Sequence, residues 1–414
     1  MCGTGAPPHR SSAPISERGA MKIETLSIHA GLPAARSGEP VLSPLVPASS
    51  FYAHPDDIGF SANELSDQAP HFYTRWSNPT AAALEARLAT LDGGEAALTF
   101  ASGMSAVTGL FLNRLKAGDH LVVSNVCYAG VAEFAHDGLS RLGIAVTAVD
   151  TSDLAKVAAA IRPETRLVHI ETPANPILRL SDISAIAGIV HAAGAELSVD
   201  STMATPVATK PLELRADFVV HSLTKYACGH GDALGGAVIG SAAAMADLRK
   251  TSLIHLGAAL NPFAAWLILR GLETLPIRMR AHEENARAVT AFLENHPRVK
   301  RVYWPGAKSH PQHDLAVRQM RNFSGMVSFV ANDGPTLARQ FADRLRTVAY
   351  AVSLGKTRSL LFYIPADDLI ASSFHLKGDD AAAYRDWTGD GTFRLSVGLE
   401  SADDIIADLE AALG

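Results

Sequence analysis

From about residue 80 the chain alternates short, almost wholly apolar runs with longer segments whose apolar residues recur every three or four positions. The runs are AALTF, LVVSN, AVTAVD, LVHIET, LSVD, DFVVHS and GGAVIG, and segments such as 103–115, 153–161 and 181–193 between them carry the helical spacing. Near-continuous apolar strands with helical crossovers predict a largely parallel sheet covered on both faces. Such sheets take their ligands at the carboxyl ends of strands. Only about a dozen residues join DFVVHS to GGAVIG, too few for a comfortable helical crossover, so one antiparallel pairing is expected there. After residue 262 the rhythm changes. PFAAWLILRGLETLPIRMRAHEENARAVTAFLENH reads as one or two long helices. SGMVSFVA, a helix near 335–346, VAYAVSL, FRLSVGLE and a closing helix from Ser401 then predict a smaller α+β unit.

Before residue 73 the rhythm is missing. Residues 22–72 contain Pro40, Pro44, Pro47, Pro55 and Pro70 with little periodicity, the pattern of an arm that cannot bury itself and is better used against another subunit. The opening MCGTGAPPHRSSAPISERGA is rich in Pro, Gly and Ser and has no apolar h-region. Glu17 and the lack of an amphipathic pattern favour a disordered tail over a targeting peptide. The expected organisation is a tail over 1–21, an intersubunit arm over 22–72, a large domain over 73–262 and a C-terminal domain over 263–414.

Composition narrows the function classes. With 414 residues, 48% hydrophobic and 19% charged, the chain can bury one large core and a companion. No run reaches the roughly 20 apolar residues of a membrane helix. Thirty-six Lys and Arg against 42 Asp and Glu leave a net charge of −6 without a basic stripe, which argues against a nucleic-acid surface. A cytoplasmic protein is expected. Cys2, Cys127 and Cys228 are unevenly spaced and form no CxxC pair, so neither a disulfide framework nor a structural zinc site is indicated, and no metal is expected.

The chemistry concentrates where apolar strands end. Lys225 follows DFVVHS, and a lysine amine adds to an aldehyde once burial or a neighbouring cation depresses its pKa. Asp200 closes LSVD twenty-five residues earlier. Together they match the two ends of pyridoxal phosphate: Asp200 for the protonated ring nitrogen, Lys225 for the aldehyde carbon. On composition alone, a solvated strand-end lysine and a capping aspartate read equally well. The flanking residues add weight. EAALTFASGMSAVTGLFL is a strand, a small-residue turn and a helix start, so Ser102, Gly103 and Met104 offer amide donors to an anion. Ser222 and Thr224 add hydroxyls on the lysine side. HFYTRWSNPT sets Tyr73 and Arg75 on one side of an extended segment before a helix starting near Thr80. As phosphate donors on an intersubunit arm they are candidates for a neighbour's site; Arg75 also reads as a surface arginine. Asn175 lies in a proline-bounded turn of LVHIETPANP. Arg394, in FRLSVGLE, suits either an inter-domain salt bridge or a bidentate clamp for an amino-acid carboxylate.

These stretches in this order identify the chain as similar to the cystathionine γ-synthase and γ-lyase family of fold-type-I pyridoxal-phosphate enzymes, the Cys/Met metabolism family. The resemblance runs over nearly everything after Met21, through YTRWSNPT, LDGGEAALTFASGM, ETPANP, VDSTMATP, HSLTKYACGHGDALGG, AVSLG and RLSVGLE. It implies an α/β fold with a mostly parallel seven-stranded sheet in a large PLP-binding domain and a smaller C-terminal α+β domain on the substrate side. It implies that Lys225 is the covalent attachment point, that Asp200 holds the pyridine nitrogen, and that Gly103, Met104, Ser222 and Thr224 hold the phosphate. Tyr73 and Arg75 would reach an adjacent subunit's phosphate. Tyr128 would stack on the cofactor and assist proton transfer, while Asn175, Ser353 and Arg394 would take the cofactor edge and substrate carboxylate. A homotetramer of two catalytic dimers acting on a small amino acid is the implied assembly.

Departures bear on the substrate. YGGT of the family is Tyr128-Ala129-Gly130-Val131 here, without the cysteine that many methionine γ-lyases carry at the position of Gly130. After SLG, where relatives often run toward Glu-Ser-Leu, this chain has Lys356, Thr357, Arg358, Ser359 and Leu360. Cations there disfavour a substrate with a cationic far end such as cystathionine, if they face the cleft. They suit a neutral or anionic leaving group instead. Among the reactions of the family, γ-elimination from a sulfur amino acid is taken ahead of γ-replacement on an acylated homoserine, with β-elimination of cystathionine third. An aminotransferase on the same fold, and a dead scaffold serving assembly or ligand sensing, are disfavoured. The local motifs follow the γ-family pattern, and Lys225 and Asp200 are both retained.

Overall fold

The structure, a computed structural model, describes residues 21–32, 40–54, 61–62 and 70–414. The expected tail up to residue 20, and Pro55 of the arm, lie outside the described residues.

The seven apolar runs become β1 (Ala96–Phe100), β2 (His120–Ser124), β3 (Ala145–Val149), β4 (Thr165–Glu171), β5 (Glu196–Asp200), β6 (Phe218–Ser222) and β7 (Gly236–Gly240), in one sheet ordered β1-β7-β6-β5-β4-β2-β3. The pairs from β3 through β2, β4 and β5 to β6 are parallel. The single antiparallel pairing expected from the short β6–β7 connection becomes two. β7 does not end the sheet but lies between β6 and β1 and runs against both. Central strands are buried on both faces, whereas β3, at the edge, leaves Ala145 and Ala148 exposed.

Local signals set the helices that carry the site. Helix Pro79–Asp92 begins with Pro79 in its first turn and Asn78 as cap, whose Oδ1 accepts the Thr80 amide at 2.9 Å; Gly93, at φ 76°, ends it in the left-handed region that glycine adopts without strain. Helix Gly103–Arg114 starts in a reciprocal capping box between Ser102 and Ser105 and lays Leu110 and Phe111 against the sheet. Each such buried side chain contributes on the order of 1.5–3 kcal/mol.

The long apolar stretch after residue 262 is two helices. Pro262–Glu273 packs on Pro79–Asp92, and Leu275–Asn295 continues to the second sheet and the closing helix Ala402–Leu413. That sheet has β8 (Val299–Tyr303), β9 (Met326–Ala331), β10 (Ala349–Tyr350), β11 (Leu360–Pro365) and β12 (Gly391–Ser396) in the order β10-β11-β12-β9-β8. Its core centres on Phe329 and Phe393, stacked with ring centroids 5.0 Å apart, with Phe341 edge-on to Phe393 at 5.2 Å. VAYAVSL supplies only a two-residue strand, because the chain then turns sharply through Ser353, a non-glycine residue at φ 87°.

The arm also differs from its reading in one part. Ile23–His29 is helical and packs on its own chain, where the buried Arg87 donates from Nε to Ala30 O at 2.9 Å and from Nη2 to Ile28 O at 3.0 Å. A buried arginine that satisfies backbone carbonyls gives this segment an anchor that its short apolar pattern does not reveal.

Candidate active site

Five strands of the large sheet deliver their carboxyl ends to one cavity of about 540 Å³, whose opposite wall comes from the second domain. β1 leads into Ser102, Gly103 and Met104, and β2 into Tyr128. β4 ends in Glu171, β5 in Asp200 and β6 in Ser222, with Thr224 and Lys225 just beyond. Every candidate cofactor or substrate residue named from the sequence lines this cavity except Tyr73 and Arg75, and Asn175, Ser353 and Arg394 complete the set; the cations Lys356 and Arg358 do not line it.

At one end the helix Gly103–Arg114 opens against β6. A Cβ on Gly103 would stand 2.9 Å from Ser222 Cβ, so only glycine lets the helix start lie this close to the Ser222 side chain. First-turn amides lack helical carbonyl partners and point their dipole outward, so these donors with the Ser222 side chain suit a phosphate. The Thr224 hydroxyl accepts the Gly235 amide at 3.1 Å and so fixes the returning β7 against the lysine loop.

Asp200 accepts the Thr202 amide at 2.9 Å, and the Thr202 hydroxyl accepts the Ser222 amide at 2.8 Å. Thr202 thus locks the aspartate end to the phosphate end. Lys225 donates to Ser353 Oγ at 3.4 Å. Burial, then the Arg394 and Lys356 cations, hold its amine below the usual lysine range, against the opposing pull of Asp200. The neutral amine needed for attack on an aldehyde is therefore more accessible than on a free lysine.

Arg394 crosses from β12 and donates from Nη1 to Asn175 Oδ1 at 2.8 Å and from Nη2 to Ser353 O at 3.2 Å. Its Nε is buried without a partner, and no carboxylate of the described residues lies in ion-pair range. A buried guanidinium with a donor to spare is a site for an anion such as an amino-acid carboxylate. Tyr128 stands half-exposed at the mouth. A Cβ on Gly130 would meet its ring at 2.9 Å, so the ring folds back over a position where any side chain would displace it.

Sequence reasoning missed two groups. Glu171, buried at the end of β4, accepts the Tyr128 amide at 2.6 Å and the Asn175 amide at 2.8 Å. Burial and the adjacent Asp200 carboxylate push it up to about 8, against the pull of those two donors and of Arg394. An acidic residue closing the largely apolar, buried run LVHIE was the available signal. The second group is apolar: Leu234, Val352, Phe362, Ile364, Leu369 and Phe374 line the same cavity. Leu369 lies in the one-turn π-helix Leu369–Ser373, a form frequent at functional sites.

Tyr73 and Arg75 lie elsewhere. Arg75 donates from Nη1 to Ile254 O at 2.6 Å and sits over the Tyr73 ring, 5.5 Å from its centroid. Lys356 lies beside Gly231, half-buried, and Arg358 is exposed; neither lines the cavity. Among the described residues, the cluster with metal-ligand spacing, His136, Asp137 and His375, lies off this cavity's lining.

The donor set fits pyridoxal phosphate: amides and hydroxyl for a phosphate, a carboxylate for the ring nitrogen, a depressed lysine for the aldehyde and an aromatic ring beside them. The comparisons agree. The chain is 40% identical over 396 residues to a canavanine gamma-lyase of Pseudomonas canavaninivorans, covering 95% of this chain and 96% of that protein. It is 41% identical over 393 residues to an L-methionine gamma-lyase of Fusobacterium nucleatum subsp. polymorphum, covering 94% and 98%. The crystal structure of cystathionine gamma-lyase from Lactobacillus plantarum complexed with L-serine superposes with a TM-score of 0.84 at 35% identity, over 95% of this chain and 98% of that one. The sequence profile of one family spans residues 24–414, and the chain belongs to it: it is a member of the Cys/Met metabolism PLP-dependent enzyme family, a pyridoxal-phosphate enzyme of the carbon–sulfur lyase and γ-synthase type.

Proposed function

We propose that the enzyme removes the γ-substituent of a sulfur-containing amino acid, with methionine as the type substrate: methionine and water give 2-oxobutanoate, ammonia and methanethiol. The apolar wall carries this reading. The charged residues lining the cavity are Glu171, Asp200, Lys225 and Arg394, which the cofactor and the carboxylate would engage, while Phe362, Ile364, Leu369 and Phe374, none of them exposed, are what a leaving group would meet. A thioether suits that wall. A cationic or carboxylate-bearing far end would lose hydration there without a partner. Lys356 and Arg358 stand outside the lining, so the wall and not those cations sets the preference.

Bound pyridoxal phosphate supplies an electron sink conjugated with the substrate's α-carbon. Gly103, Met104, Ser102, Ser222 and Thr224 anchor its phosphate, and Asp200 keeps its ring nitrogen protonated. Arg394, oriented by Asn175 and Ser353, takes the substrate carboxylate. Lys225 would accept the substrate's α-proton and then take part in removing a β-proton, the step that separates γ from β chemistry. Tyr128 delivers a proton to the departing sulfur. Tyr73 and Arg75 close the phosphate site of an adjacent copy, in a tetramer of two catalytic dimers.

The test is a product survey with methionine, cystathionine, homocysteine, O-acetylhomoserine and O-succinylhomoserine, with and without added thiol. 2-Oxobutanoate and methanethiol from methionine are expected. Turnover confined to acylated homoserines plus thiol would instead assign γ-replacement, and pyruvate from cystathionine would assign β-elimination.

A further inference from the structure

Three positions central to the proposed site meet at one side chain that none of the proposed steps uses. Glu171 ends β4 beside Asp200, to which it is directly paired in the parallel register of β4 and β5. Its Oε2 accepts the amide of Tyr128, 43 residues earlier, and its Oε1 accepts the amide of Asn175, whose side-chain oxygen in turn accepts from Arg394 Nη1 at 2.8 Å. One carboxylate on a rigid strand end therefore ties the loop that carries the aromatic ring to the turn that orients the guanidinium.

We infer that Glu171 is a positioning residue: by accepting both amides it sets the Tyr128 ring over the cofactor and the Asn175–Arg394 pair around the substrate carboxylate in one fixed relation. The inference rests on the roles proposed above for Tyr128 and Arg394. A carboxyl group is required because both partners are donors and each of its two oxygens accepts one of them. Glutamine keeps the size but accepts only one amide through its oxygen and turns its own NH₂ toward the other. With one acceptor oxygen for two donors, neither the ring nor the guanidinium would be held in its fixed place.

The holoenzyme with Glu171→Gln tests this. Leaving a buried amide donor without its acceptor predicts a fall in kcat and a rise in KM for methionine, each about tenfold to a hundredfold. The visible circular dichroism of the bound cofactor, which senses the ring beside it, should weaken at matched occupancy. The affinity for glycine, read from the cofactor absorbance, should fall with the KM effect. In an Asn175→Ala background the KM effect of Glu171→Gln should largely disappear, because the link to Arg394 is already cut. Wild-type kcat, KM and dichroism in Glu171→Gln, or KM effects that multiply fully with Asn175→Ala, would overturn the inference. Where Glu171→Gln does not fold, Glu171→Asp serves: one methylene shorter, it reaches at most one amide, and wild-type values for both kcat and KM would be equally fatal. Arg394→Ala separates the two levels. If it leaves KM unchanged, the reading of the carboxylate site falls. If it raises KM while Glu171→Gln does not, only the role of Glu171 falls.

Discussion

Lys225 and Arg394 enter one cavity as two cations, and neither has a carboxylate of the described residues in ion-pair range. Each makes the other's charge more costly. Burial and then Arg394 depress the lysine, the group that can respond by shedding a proton, while the guanidinium stays charged. Lys225→Ala is expected to fold, to hold the cofactor only noncovalently and to lose turnover; borohydride reduction followed by peptide mapping of the wild-type enzyme should label Lys225 and no other lysine. Asp200→Asn should lower turnover far more than the melting temperature, since an amide oxygen still accepts the Thr202 amide at 2.9 Å but no longer holds a proton on the ring nitrogen. Near-wild-type turnover at matched cofactor occupancy would remove that role. Arg394→Ala should raise KM for methionine, because deleting one partner of a desolvated carboxylate pair costs about 2–5 kcal/mol. Lys225 and Asp200 could be picked from the sequence because each closes or follows an apolar strand within a few positions, and Arg394 because it stands inside the strand-like FRLSVGLE. Glu171 closes β4 in the same way, but its meaning, like that of Thr202, lies in amides and hydroxyls brought by other segments.

Elements are held to one another by a buried clasp behind the site. Asp92, the last residue of helix Pro79–Asp92, receives His221 Nε2 from β6 at 3.0 and 3.1 Å, with both side chains buried. Burial works to lower the histidine, but the Asp92 carboxylate more than offsets it and the net shift is upward from 6.5. A raised folded-state pKa stabilises fully below the unfolded value and is lost as pH rises through the folded one. Asp92→Asn should therefore lower the unfolding midpoint more at about pH 6 than at about pH 9, and a gap independent of pH would show that His221 is neutral throughout. The same contrast between local and distant causes runs through the fold. The seven large-sheet strands were legible as apolar runs, and the closing helix as starting from Ser401, its cap. β8 was not, because it is an edge strand whose Lys300 and Arg301 face solvent. β11 passed unread because its apolar run is followed at once by the turn into the π-helix Leu369–Ser373. Helix Ile23–His29 was hidden for a third reason: its hold is Arg87, 57 and 59 positions from the carbonyls it binds.

At the scale of the whole molecule, apolar surface is left over on the cavity side. Leu234 and Val352, both lining the cavity, are 64% and 63% exposed, and Val41 of the arm is 96% exposed. Exposed apolar groups at the mouth of a site are what a second copy would cover. Tyr73 and Arg75 do not line the cavity of their own chain, although the helix Pro79–Asp92 that follows them is firmly part of it. If they act on a neighbour, the defect of an Arg75→Ala chain and that of a Lys225→Ala chain fall in the same site of a mixed dimer, leaving the other site whole. One site then combines Lys225 of the first chain with Arg75 of the second, and the other carries both substitutions. Random exchange of equal amounts places half the chains in mixed dimers with one intact site each, so the mixture should recover about a quarter of wild-type activity while each parent alone stays low. Subunit exchange is verified separately by mass labelling of the two parents. Full exchange with no recovered activity would place Tyr73 and Arg75 in the service of their own chain, and the exposed mouth of the cavity would then have to be closed by the second domain instead of by a partner.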